Sequence, residues 1–266
     1  MLRSIRSEAL KVVTTRAWWI LAIVLFGYIA LFAGGMAALF GTISDQADAL
    51  GPGSSIPPLV YSFATSVGYV FPLLFGALAT TTEFRHQTLT PTFLATPRRG
   101  EVLGSKVIVG AAWGAIFGVV GIVATVGVGG LILALVGVDP LLDSTDTWAL
   151  LGRMVLAMAL WGVIGVGLGV LVPNQVASIV IVLAFTQFVE PTLRIAAAFW
   201  EWSAEVGRFL PGAASDALVG SSFFTSLSAG GGANLLEWWQ GGLVLAGYAV
   251  VFIVSGALTT WRRDVT

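Results

Sequence analysis

From Ala17 to Phe40 the chain carries not one charged side chain. A helix needs about 20 consecutive apolar residues to cross the roughly 30 Å of bilayer hydrocarbon, and this run is long enough to do so. Comparable runs cover about 59–81, 106–138, 148–172, 176–189 and 238–261. They are continuous rather than alternating at every second residue, which predicts helices and not the strands of a membrane barrel. Hydrophobic residues make up 57% of the chain and charged ones 10%, and the mean hydropathy is +0.92, whereas a soluble domain carries about 25% charged residues. The predicted class is an all-α integral membrane protein, a single domain over 1–266 with six transmembrane helices.

Between the spans the composition assigns each connection. Residues 1–16 carry Arg3, Arg6, Lys11 and Arg16 against Glu8 alone, with Leu2, Ile5, Ala9, Val12 and Val13 at helical spacing. This predicts an amphipathic helix lying on the membrane surface. The run that follows is too long for the core of a secretory signal and reads as an uncleaved first span. Residues 41–58, with Asp45, Asp48 and several Gly and Pro, form a loop predicted to face outward. Pro72 predicts a kink in the second span. The third span is longer than a perpendicular helix requires, so it is expected to tilt or project. Asp139, Asp143 and Asp146 mark a second external loop, and Arg153 is expected to snorkel from the outer end of the fourth span. After the turn Pro173-Asn174-Gln175 and the fifth span comes a mixed external segment, 190–237. It is predicted to form two short interfacial helices broken at Pro211-Gly212, before a Gly-rich turn at 230–232. Trp18, Trp19, Trp148, Trp200, Trp238, Trp239 and Trp261 fall near span boundaries, as expected of interfacial indoles.

Charge gives the orientation. Arg3, Arg6, Lys11, Arg16, Arg85, Arg98, Arg99, Lys106, Arg262 and Arg263, ten of the thirteen basic residues, fall on one side; only Arg153, Arg194 and Arg208 fall elsewhere. The positive-inside rule then places both termini and the 83–106 loop in the cytoplasm.

Several chemistries are excluded. There is no cysteine and one histidine, His86, so neither a thiolate nor a multi-histidine metal site can form within one chain, and no catalytic constellation is visible. The two lysines, Lys11 and Lys106, follow Leu10 and Ser105, so no phosphate-cradling G-x-x-x-x-G-K-[ST] loop exists. No predicted span has a central ionisable residue of the kind ion-coupled carriers use; Glu190 reads as a helix-end residue at the interface. No cofactor, metal or nucleic acid is expected on this chain, and any energy for transport comes from elsewhere.

The polar stretch from Glu83 to Lys106, EFRHQTLTPTFLATPRRGEVLGSK, then acquires meaning. Glu83-x-Arg85, Thr88-Leu89, Thr96-Pro97-Arg98 and a Lys106 opening the third span, all after a kinked second span, resemble the permease subunits of ATP-binding-cassette (ABC) transporters, type-2 exporter branch. The start, Glu8-Ala9-Leu10-Lys11 with Thr14, Thr15, Arg16 and Trp18, is similar to that family's entry helix. One departure is Gln87, where the family often has glycine. The resemblance implies a cytoplasmic coupling helix within 83–96 that docks on a separate ATPase subunit through Glu83, Arg85, Thr88, Leu89, Phe93, Pro97 and Arg98, with Leu94 beside Phe93. It also implies two ATPase subunits carrying the ATP and Mg²⁺, a second permease chain forming a homodimer, and a bacterial inner membrane. The substrate path would run between the two permease chains, lined mainly by the second and fifth spans with Phe63, Thr65, Ser66, Tyr69, Phe185 and Gln187, a wall suited to an amphipathic drug, lipid-linked molecule or peptide. The bland alternative for the basic residues is a solvated loop that only sets topology. Other function classes are a passive channel or secondary carrier, and a non-transporting membrane anchor. Gly110, Gly114, Gly118, Gly165 and Gly169 are expected to serve close helix packing inside the bundle.

Overall fold

The computed structural model describes residues 1–42, 55–197, 205–221 and 236–261. The described residues form helices and no strands, and six of the helices are long and apolar enough to cross a membrane. The loop predicted at 41–58 mostly falls outside the described residues. So do Trp200, the predicted turn at 230–232, and Arg262 and Arg263.

Helix α1 (Leu2–Thr14) is followed after a two-residue link by α2 (Ala17–Thr42), the first span. The second span has two pieces, α3 (Ile56–Ser66) and α4 (Val70–Arg85). It starts at Ile56 rather than Leu59 because Pro57 and Pro58 sit in the first turn, where the missing N–H costs nothing. The expected kink is a full break at Val67–Tyr69. Pro72 has no N–H to give Gly68, whose carbonyl instead accepts from Phe71 at 3.1 Å. Beyond α4 lie the short α5 (Leu89–Ala95) and α6 (Arg99–Leu135). At 37 residues α6 spans about 55 Å, far more than the hydrocarbon core. It starts seven residues before Lys106, so the excess projects at the basic end.

α7 (Thr145–Leu171) is the hub, packed on α4, on α6 and on the last span α10 (Trp238–Thr259). Glycines let the backbones meet. A Cβ on Gly114 would come within 2.9 Å of the Ala159 Cα, and one on Gly169 within 2.7 Å of the Ala77 carbonyl. Both contacts lie inside one chain. Trp161, Met154 and Met158 of α7 are fully buried. By contrast α2, α10 and α8 (Gln175–Ala197) expose long apolar stripes, for example Leu31, Leu243 and Phe188.

Several expectations change. The fifth span does not stop at Val189: a π-helical turn, Phe185–Val189, joins it to Glu190–Ala197 as one helix. Pro211-Gly212 does not break a helix but opens one. Pro211 occupies the first turn of α9 (Pro211–Val219), and Gly220, at φ 90°, ends it. α9 is not a surface element either, since Gly212, Ala214, Ser215, Asp216, Leu218 and Val219 are buried against α3, α7 and α10. Finally, Trp261 is buried rather than interfacial. Apart from these changes, Arg153 holds its guanidinium 5.1 Å over the ring of Trp238, the exposed first residue of α10.

Candidate functional site

The hairpin between α4 and α6 stands at the basic end of the bundle. α4 ends in a Schellman closure: the Thr88 N–H donates to the Glu83 carbonyl at 3.0 Å and the Gln87 N–H to the Phe84 carbonyl at 3.3 Å. Gln87 therefore takes φ 54°, the left-handed conformation that glycine adopts without strain. The turn keeps its shape with a non-glycine residue.

α5 lies across this end on an apolar seat. Leu89 is fully buried with Val102, Leu103, Val170 and Trp261. The Phe93 ring meets Trp261 edge-on at 5.3 Å, and the Arg99 guanidinium sits 5.1 Å over Phe93. Trp261 Nε1 donates to the Arg99 carbonyl at 3.0 Å, and Arg99 Nη1 donates to the Trp261 carbonyl at 3.1 Å. The tail of the last span thus clamps the hairpin from below.

The seven predicted contact residues separate accordingly. Arg85, Thr88, Pro97 and Arg98 are exposed, and Phe93 is half-buried. Glu83 and Leu89 are buried, so neither presents a side chain to a partner surface. Leu94, 80% exposed, is instead the large apolar side chain that α5 offers outward.

Glu83 belongs to an ion cluster. Lys106 Nζ lies 2.7 Å from Glu8 Oε2 and 2.7 Å from Glu83 Oε1, while Lys11 Nζ lies 2.6 Å from Glu8 and 2.9 Å from Glu83. Two carboxylates and two ammonium groups balance, so the burial of Lys106 is compensated. Burial pulls the Lys11 pKa down, but the two carboxylates outweigh it and hold the ammonium above its ordinary value. The cluster ties α1 to the end of α4 and the start of α6, on either side of α5.

A second polar cluster lies at the opposite end. Glu190 is buried rather than placed at a helix end: it follows Val182 and Thr186 at four-residue spacing on the buried face, while Gln187, Phe188 and Val189 are exposed. Arg194 Nη2 donates to Glu190 Oε1 at 3.2 Å and Nη1 to Asp216 Oδ2 at 2.6 Å. The Gly212 N–H also donates to Glu190 Oε1, Tyr69 Oη to Glu190 Oε2 at 3.2 Å, and Ser66 Oγ to Asp216 Oδ1 at 3.2 Å. Two carboxylates share one guanidinium here. The cluster joins α8, α9 and the α3–α4 break, and Trp161 stacks on Tyr69 at 4.4 Å.

Beside it lies a cavity of about 80 Å³ lined by Ser66, Tyr69, Thr186, Gln187, Glu190 and Arg194, among others. Of the predicted path residues, Ser66, Tyr69 and Gln187 line it. Phe63 and Thr65 do not; both are buried in the bundle, and Thr65 Oγ1 donates to the Ser62 carbonyl at 3.0 Å. Phe185 is half-buried. Glu190, Arg194 and Asp216 were not among the predicted site residues. Their only sequence signal was a charged residue every few positions in a segment that otherwise reads as interface.

Six spanning helices with a folded polar hairpin at one end define an all-α, multi-pass integral membrane protein. A family model described as ABC-2 family transporter protein matches residues 4–189, from α1 through the π-helical turn, and the chain belongs to that family. It is a permease component of an ABC transporter, a membrane partner of an ATPase subunit rather than the ATPase itself. A comparison with curated proteins finds no match.

Proposed function

We propose that this chain is the transmembrane subunit of an ATP-driven exporter and that α5 is its coupling helix. The observation that carries this reading is the hairpin: α5 is held on a buried seat while Arg85, Thr88, Thr90, Leu94, Pro97 and Arg98 face outward as a polar rim around one apolar side chain. That pattern suits docking in a groove of a partner. The partner is an ABC ATPase, in two copies, which supplies ATP and Mg²⁺. Two permease chains pair, and the exposed apolar stripes of α2 and α8 provide surface for pairing and for lipid. We read that end and both termini as cytoplasmic, in a bacterial inner membrane; the concentration of basic residues at the hairpin end supports the cytoplasmic side. The substrate is amphipathic and passes the cavity at Ser66, Tyr69 and Gln187, where the Tyr69 ring stands among hydrogen-bonding groups.

The test uses tagged protein purified in mild detergent, with wild type compared against Leu94→Ala/Arg98→Ala and with ATPase activity measured in what co-elutes. Both side chains are exposed, so the variant keeps its fold and loses the partner. Co-elution of an ATPase that is unchanged by the variant removes α5 as the docking element. Absence of any ATPase with the folded wild type favours a channel or an anchor.

A further inference from the structure

The outward face of α1 has a composition its inward face lacks. Leu2, Arg6, Leu10 and Val13 lie on one stripe of the helix, with Arg3 beside it, and Arg16 follows in the link to α2. Leu2 is 84% exposed, Leu10 53% and Val13 55%. Arg3, Arg6 and Arg16 are exposed as well, and none has an ion pair among the described residues.

The nearby carboxylates are already committed. Glu8 and Glu83 are buried against Lys11 and Lys106, and Glu101 takes the Met1 amino group and the Ser4 hydroxyl. Among the described residues the surface around α1 is therefore cationic with no free acidic counterpart. It is also at the right level, since α2 starts two residues after α1 ends and α1 crosses the projecting first turns of α6.

We propose that this face, through Arg3, Arg6 and Arg16, is a binding surface for anionic phospholipid headgroups. The interleaving decides between an acidic lipid surface and an acidic protein surface. Phosphates answer the guanidinium groups, and the acyl boundary beneath them takes Leu2, Leu10 and Val13, which an acidic protein surface would leave facing polar groups. The opposite face of α1 carries Glu8 and Lys11 into the ion cluster, so lipid bound here also steadies the ends of α4 and α6 around α5. This inference needs only the membrane-spanning architecture; it stands or falls independently of any ATPase partner.

The experiment reconstitutes the full chain alone in phosphatidylcholine vesicles. Trace spin-labelled phosphatidylglycerol or phosphatidylcholine is added, and the motionally restricted fraction is read by electron paramagnetic resonance. A Lys or Arg near an anionic surface is worth about fivefold in affinity. Wild type is expected to prefer phosphatidylglycerol severalfold at low salt and to lose most of that preference at high salt. Arg3→Gln/Arg6→Gln/Arg16→Gln is expected to lose it, and the corresponding lysine triple variant to keep most of it. Equal restriction of both lipids by wild type overturns the proposal, as does a glutamine variant with undiminished preference. If the glutamine variant does not fold, the salt titration of wild type decides, and a preference insensitive to salt overturns it.

Discussion

Lys106→Met tests how much the ion cluster at the basic end holds together. The Lys106 ammonium is within 2.7 Å of both Glu8 and Glu83, and its side chain is 3% exposed. Removing it leaves two buried carboxylates sharing Lys11, with Glu83 Oε2 already lacking a hydrogen-bond partner. Breaking a buried pair costs about 3–5 kcal/mol, and the remaining Lys11 keeps the loss near the lower bound, about 3 kcal/mol. At about 2–4 °C per kcal/mol for a chain of this size, the melting temperature should fall by about 6–12 °C. Thermal unfolding in one detergent, followed by tryptophan emission, measures it. Lys11→Met is the comparison. That side chain is 38% exposed and screened by water, so its loss should cost no more than about 1 kcal/mol.

The pH dependence of the Lys11 contribution is also defined. The folded pKa of Lys11 is raised above 10.5, so the stability it contributes is fully present below that value and is lost only as pH rises through the folded pKa. The Lys11→Met deficit should therefore stay constant from pH 7 to about 10. Adding Glu83→Gln to Lys106→Met should recover part of the loss, because it removes one stranded charge. A Lys106→Met variant that melts with wild type, or no lower than Lys11→Met, would refute the reasoning.

Three more outcomes follow from particular contacts. In the Glu190–Arg194–Asp216 cluster two carboxylates share Arg194, so Arg194→Met should destabilise by about 3–5 kcal/mol, whereas Asp216→Asn removes surplus negative charge and should cost far less; melting curves that reverse this order reject the charge count. Trp261→Ala empties the seat under Phe93 and Leu89 and should cost about 3–5 kcal/mol, with faster proteolysis at the α5 hairpin than elsewhere as the readout. Gly169→Leu would drive a side chain into Ala77 and Thr80 and should sharply reduce the folded yield in the membrane, while Gly247→Leu, with nothing near its Cβ, should accumulate normally; equal yields would contradict the packing of α7 on α4.

Much of this architecture is legible without coordinates because the bilayer simplifies the problem. A helix that must satisfy its own backbone across about 30 Å of hydrocarbon announces itself by length and hydropathy alone. The runs at Ala17, Arg99, Thr145 and Trp238 do so, and basic residues crowd one end. Even the hairpin motif is local, since Glu83 to Arg98 lie in one stretch of chain. Composition alone ends the fifth span at Val189, eight residues before the helix does. Glu190 and Arg194 end the apolar run, and composition does not distinguish a charge at the interface from one buried against another charge.

Whether each polar group finishes buried or exposed was decided by tertiary structure. Glu83 and Arg85 are two residues apart in one motif, yet Glu83 is buried because α1 returns Glu8 and Lys11 to it and α6 brings Lys106, whereas Arg85 stays exposed. Leu89 and Leu94 share one helix, and Trp261, from the far end of the chain, covers only the first. Asp216 meets Arg194 because α9 folds back among the spans. By itself the sequence determined how many times this chain can cross a membrane and which end is basic, since hydropathy and charge are sums over neighbouring residues. Which charges are buried was left to the fold, because the pairing that makes a buried ion tolerable comes from residues distant in the chain.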